Sequence, residues 1–230
     1  MKKLYPQDIV SLHSNHCVKD EEYYKKYEEV PYHLMSKWDW DGKDYARVPC
    51  VLDFKEWVEK YGLKEPNHLL YTDDVDPELE YLSPKNKTLA LYNFQNNSND
   101  LHLLDLENKD FDFILFSQTF EHLYNPYLAL ENIVKHLRPG GCLFTSVPTK
   151  SIPHMVPFYF WTMSKMGLCA LLHSFNLEIL EVGEWGNYDY VANMEASLSW
   201  PDHRQLIKDG KILNDPNRPC QTWVLARKPL

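Results

Sequence analysis

Apolar and polar positions fall into short blocks along the chain, and the spacing changes from helical to strand-like near residue 68. Residues 1–48 carry no sustained apolar stripe. Within them, DEEYYKKYEEVPYHLMSKW (20–38) supplies helix formers interrupted by Pro31, which predicts one or two cap helices or, equally, a solvated extension. In FKEWVEKYGL (54–63), Phe54, Trp57, Val58 and Tyr61 recur at helical spacing and Gly62 suits a C-cap. HLLYTD (68–73), TLALYNF (88–94), LHLLDL (101–106) and DFILFSQ (112–118) are short apolar runs bounded by turn residues, the pattern of buried strands. YLALENIVKHL (127–137) returns to helical spacing and RPGG stops it. CLFTSVP (142–148) predicts a strand, 161–174 a helix, LEILEVGEW (177–185) a strand and QTWVLARKP (221–229) a terminal strand.

Strands that alternate with helices predict an α/β sheet with helices on both faces. The expected organisation is an N-terminal cap over 1–48 and a main domain over 49–230. Within the latter, 186–220 is polar, rich in Pro, Asp and Asn, and reads as a long excursion and candidate substrate lid.

The 230 residues contain 24 Lys+Arg against 33 Asp+Glu, a net charge of −9, which disfavours a general nucleic-acid binder. Five cysteines without a CxxC pair read as reduced thiols and point to a cytoplasmic setting. No apolar run approaches the ~20 residues of a membrane span, and MKKLYPQDIVSLHSNH lacks the apolar stretch of a secretory signal. Aromatics reach 14%, enough to line a pocket or simply to fill the core.

FDFILFSQTFEHLYNPYLALENIVKHLRPGGCLFTSVP (111–148) resembles the second half of a class I methyltransferase, the family that uses S-adenosylmethionine (SAM). A strand, a Glu-His pair, an Asn-Pro, a helix and a Pro-Gly-Gly turn into the next strand occur in the family's order. FYFWTMSKMGLCALLHSFNLEILEVGEWG (158–186) is similar to the segment that follows, so the resemblance spans about 68–228. It implies a Rossmann-like fold: a mostly parallel seven-stranded sheet with helices on both faces and a small N-terminal helical cap. It also implies SAM as cofactor.

The chain departs from that pattern in two places. The family's glycine-rich turn corresponds to LLYTDDVDPELEYL (69–82), and no glycine occurs between Gly62 and Gly140. Asp73 or Asp74 would then replace the ribose contacts. By position, Asn93 stands where an acidic residue binds the ribose, and Asp105 matches the acidic position near the adenine. Tyr71, Ser117 and Gln118 complete the expected cofactor-binding set.

Histidine near neutral pKa suits proton removal from a hydroxyl acceptor, which makes His122 and His154 the candidate catalytic bases. Members of the family with an ExxEH motif bind a divalent metal. QTFEH (118–122) with His154 resembles it, so Glu121, His122 and His154 are candidate ligands for Mn or Mg, and the two imidazoles favour Mn, Fe or Zn over Mg. Phe158, Tyr159, Phe160 and Trp161 offer either an aromatic wall or core. The leading expectation is O-methylation of a sugar, glycan or other small hydroxyl acceptor. A small-molecule N-methyltransferase and a catalytically silent binding module are the alternatives.

Overall fold

The structure, a computed structural model, describes residues 1–27, 45–92, 100–107 and 109–230. Its strands are β1 (His68–Tyr71), β2 (Asn86–Leu89), β3 (Phe111–Ser117), β4 (Leu137–Pro148), β5 (Glu178–Trp185) and β6 (Gln221–Arg227). They form one sheet in the order β2-β1-β3-β4-β6-β5. The first four in that order run parallel, and β6 is antiparallel to both β4 and β5. From β1 the chain crosses outward to β2, then returns to build β3 and β4 on the other side. The carboxyl ends of β1 and β3 therefore flank the switch in strand order, where open α/β sheets bind ligands.

The continuous apolar runs follow from burial on both faces. Along β3, Phe113 and Leu115 enter one core cluster while Ile114 and Phe116 enter the other. The helices that cover the faces are α1 (Pro6–Leu12), α2 (Glu21–Lys25), α3 (Arg47–Lys60), α4 (Pro126–His136), α5 (Lys165–Ser174), α6 (Tyr188–Ser197) and α7 (His203–Lys208). Leu130 and Ile133 of α4 and Leu168 and Leu172 of α5 pack in one cluster; Phe54 and Trp57 of α3 and Tyr190 of α6 pack in the other. Asn125 caps α4 by accepting from the Leu128 amide at 3.1 Å, and Pro126 takes the first helical position, where its missing N–H costs nothing.

Three expectations need correction. The sheet has six strands among the described residues, not seven, because LHLLDL (101–106) is not a strand. Asp100 accepts from the His102 amide at 2.9 Å and from its ring at 3.1 Å, and this local turn diverts the chain from the sheet. The helix read at 54–63 begins at Arg47, so residues given to the cap belong to a core helix. RPGG lies inside β4 rather than before it. There Gly140 adopts φ 74°, and a Cβ on Gly141 would stand 3.0 Å from the Phe111 carbonyl.

The described part of the cap is docked rather than solvated. Tyr23 Oη donates to the Glu184 carbonyl at 3.0 Å, Tyr24 Oη to the Glu184 carboxylate at 3.0 Å, and Lys26 reaches the buried Asp53 at 2.7 Å. The remainder of 20–38, Pro31 included, lies outside the described residues. Among those described, no helix is long and apolar enough to cross a membrane.

Candidate functional site

The site is built on the turn after β3. Ser117 is the last strand residue, and Gln118 follows with a left-handed backbone, φ 49°, uncommon for a non-glycine residue. The Gln118 amide donates to the Ser146 carbonyl of β4 at 3.0 Å and its side-chain amide to Ser146 Oγ at 3.1 Å, which holds the bend. A single 3-10 turn, Phe120–His122, then buries Phe120, Glu121 and His122 together.

The loop between β4 and α5 folds back on that turn. The Phe160 amide donates to the Glu121 carbonyl at 2.8 Å, and Trp161 Nε1 donates to the Leu123 carbonyl at 2.8 Å. These bonds bring His154 beside His122, ring centres 4.8 Å apart. One ligating atom from each of Glu121, His122 and His154 lies within 4.8 Å of the others.

The hydrogen bonds fix the protonation pattern. His122 Nδ1 lies 2.6 Å from the Phe158 carbonyl and His154 Nδ1 lies 3.0 Å from the Ile152 carbonyl. A carbonyl only accepts, so both Nδ1 atoms carry hydrogen and both Nε2 atoms carry a lone pair when neutral. His122 Nε2 stands 4.0 Å from the Glu121 carboxylate. Among the described residues, neither Glu121 oxygen has a hydrogen-bond partner beyond its own backbone, although the residue is fully buried. Burial pushes the Glu121 carboxyl up to about 8. Burial also lowers the pKa of His122, opposed by its bond to Phe158 and reinforced by His154. Tyr92 stacks on His122 at 5.8 Å, and Tyr159 and Trp200 approach His154 at 4.7 and 5.3 Å.

A cavity of about 460 Å³ opens at the carboxyl ends of β3 and β4. Arg47, Gln118, Lys150, His154, Trp200 and Gln221 are among its walls. His154 faces it, whereas Glu121 and His122 lie behind the lining. Arg47 is buried; its Nη2 donates to both Glu78 carboxylate oxygens, at 2.8 and 3.0 Å, and lies 3.5 Å from Asp76.

The expected cofactor residues divide. Thr72 and Thr119 face each other across the gap between β1 and β3, Oγ1 to Oγ1 at 2.8 Å. Ser117 Oγ is buried there without a hydrogen-bond partner among the described residues. Asp73 closes a local turn by accepting from the Val75 amide at 3.1 Å. Tyr71 Oη donates to Asp74 at 2.8 Å, and Lys87 of β2 reaches the same carboxylate at 3.3 Å, so Asp74 is engaged on an exposed edge. Asp105 is also exposed, its carboxylate 3.6 Å from Lys109. Asn93 lies outside the described residues. Phe160 and Trp161 are exposed loop residues rather than helix-start core.

Sequence reasoning missed Arg47, Lys150, Trp200 and Gln221. Arg47 falls in a stretch with no motif. Trp200 falls in the polar excursion, where a tryptophan beside a proline was its one signal.

A family model described as a methyltransferase domain matches residues 65–182. No curated protein matches the chain in sequence. Among solved structures, the N-methyltransferase NodS from Bradyrhizobium japonicum WM9, in complex with S-adenosylhomocysteine (SAH), is 12% identical at a TM-score of 0.51. The match covers 91% of this chain and 100% of that one. A Burkholderia thailandensis 1,6-didemethyltoxoflavin-N1-methyltransferase is 12% identical over 100% of this chain and 93% of its own, TM-score 0.48. The [4+2]-cyclase SpnF is 15% identical over 90% and 94%, TM-score 0.48. At these identities the NodS likeness bears on the fold alone, and the two lower scores add nothing to it.

Proposed function

The chain belongs to the family of SAM-dependent methyltransferase domains, and we propose that it methylates a hydroxyl of a small, sugar-like acceptor held in the cavity beside His154. One observation carries this reading: both histidines commit Nδ1 to backbone carbonyls and turn a lone-pair Nε2 to use beside an unpartnered, buried carboxylate. An imidazole tautomer fixed by a second hydrogen bond is the arrangement of a metal ligand or of a general base.

The residues at the switch point fit the cofactor. The unpartnered Ser117 hydroxyl, the Thr72–Thr119 pair and the backbone bend at Gln118 offer hydrogen-bonding groups at the two strand ends. Ser117, Gln118 and the Tyr71–Asp73 turn would hold SAM, which supplies an electrophilic methyl for in-line displacement. With Asp74 and Asp105 turned to exposed lysines, they contribute little to that grip.

The Glu121–His122–His154 set fits a divalent cation of the Mn, Fe or Zn class, since two imidazoles and a carboxylate are less suited to Mg. When bound, such a cation lowers the pKa of a hydroxyl that reaches it. His154 presents the acceptor side of the set, Glu121 supplies the countercharge, and Trp200 and Tyr159 exclude water around the imidazole. A second, metal-free reading rests on the position of His154 in the cavity wall. Its Nε2 would take the hydroxyl proton, with Nδ1 held to the Ile152 carbonyl at 3.0 Å.

Calorimetry with SAM and SAH, followed by methyl transfer from SAM to methyl glycosides of glucose, galactose, mannose and rhamnose with EDTA or with Mn²⁺, tests these statements. Micromolar SAH binding and Mn²⁺-dependent methylation of a glycoside are expected. Methylation that survives EDTA but is lost in His154→Ala assigns His154 as the base. Transfer only to amine acceptors overturns the reading.

A further inference from the structure

A second, far cavity of about 560 Å³ adjoins the first and is not lined by His154. The two share Ser199 and Trp200 as a common wall, and both open to solvent. On the near side, the Trp200 indole donates to Ser151 Oγ at 3.2 Å and approaches His154 edge-on at 5.3 Å. The far cavity is floored by the last turn of α6 and by α7, with Asn193, Ser197, Gln205, Asp209 and Lys211 along it.

We propose that the far cavity is a second acceptor subsite, so that the acceptor is an oligosaccharide of at least two sugar rings laid across Trp200. This rests on the hydroxyl-acceptor reading for its near end. The argument for a sugar is chemical. The far cavity mixes hydroxyl, amide, carboxylate and ammonium groups, which match a ring bearing both donors and acceptors. Ala196, Pro201 and Leu206 add apolar surface for a ring face, a lipid tail would strip water from the polar groups beside it, and an anion would meet Asp209 with Lys211 already paired to Asp189 at 3.3 Å. An indole shared by two cavities offers an apolar face of the kind that ligand sites combine with a few placed polar groups. The segment that carries the wall belongs to the 186–220 excursion, which gives that excursion a role as half of the acceptor site.

The experiment measures binding apart from turnover. Methyl glycosides of glucose, galactose, mannose and rhamnose, and disaccharides of the same sugars, are titrated by ligand-observed NMR with SAH present. Asn193→Trp and Ala196→Trp each fill the far cavity from exposed positions whose described bonds reach neither Ser199, Trp200 nor His154. The expected result is a disaccharide that binds roughly tenfold tighter than its monosaccharide, a gain lost in both variants while monosaccharide binding is kept. No gain for any disaccharide, or a gain that persists in a folded filled variant, overturns the subsite. If no sugar binds, the subsite fails while methylation of some other hydroxyl would leave the proposed function standing. If disaccharides bind with the gain and no hydroxyl is ever methylated, the subsite stands and the proposed function fails.

Discussion

His122 and His154 are locked in the same tautomer by different carbonyls, Phe158 at 2.6 Å and Ile152 at 3.0 Å, although they sit on separate loops. Both Nε2 atoms are thereby available next to Glu121. Thermal unfolding in Mn²⁺ and in Zn²⁺ should rise in Tm relative to EDTA, because an ion that binds only the folded state stabilises it by mass action. His122→Ala and His154→Ala should each abolish that rise. A rise retained in both variants would exclude these residues as ligands.

The buried Glu121 carboxyl makes the metal-free protein sensitive to pH. Its pKa is raised from the ordinary carboxylate range to about 8 in the folded state. The folded protein therefore keeps the proton that the unfolded chain releases near pH 4.5. The resulting stability is fully present at low pH and is lost as pH rises from about 4.5 through about 8, by an amount on the order of a few kcal/mol. Glu121→Gln keeps the shape without the titration. In EDTA, the difference in urea unfolding free energy between variant and wild type should grow in the variant's favour between pH 5 and pH 8. A pH-independent difference would show that Glu121 does not titrate there.

The strands and the helix that frame this site were legible because they rest on local signals. DFILFSQ alternates between two apolar faces, and Asn125-Pro126 announces a helix, so β3, the Glu121-His122 turn and α4 could be located from pattern alone. The meeting of His154 with His122 depends on long-range bonds such as Phe160 to Glu121, and only a resemblance suggested it. LHLLDL misled because its alternation matches a strand, while Asp100 just before it closes a turn. Arg47 was hidden for another reason. Its value lies in two acidic residues some thirty positions away, and spacing does not encode such a pairing.

The Arg47 guanidinium is the counter-ion of Glu78 at 2.8 Å, with Asp76 at 3.5 Å, in a place where all three are largely buried. Arg47→Met should destabilise the protein by about 3–5 kcal/mol, because it strands carboxylates away from water without their counter-ion. Arg47→Met combined with Glu78→Leu should recover much of that loss, since an apolar pair of similar volume leaves one fewer buried charge. Urea unfolding of the two single variants and the double variant measures the coupling. Additive effects would show that the ion pair is not the source of the cost.

The threonines that meet between the ends of β1 and β3 have unequal parts, and the inequality is measurable. Thr119 Oγ1 has one proton, and it also lies 3.1 Å from the Ser117 carbonyl, which can only accept. That proton goes to Ser117, so in the 2.8 Å contact Thr72 must donate to Thr119. Thr119→Val removes the acceptor and leaves the buried Thr72 hydroxyl with a proton and no described partner, at a cost of about 1–3 kcal/mol. Thr72→Val removes only a donor; Thr119 keeps its bond to Ser117, and the cost falls to about 0.5–1.5 kcal/mol. The double variant should cost less than the sum, since no unsatisfied donor remains. Urea unfolding of all three variants checks the order. A larger loss for Thr72→Val would reverse the assigned direction of the bond and, with it, which strand end carries a free lone pair toward the cofactor.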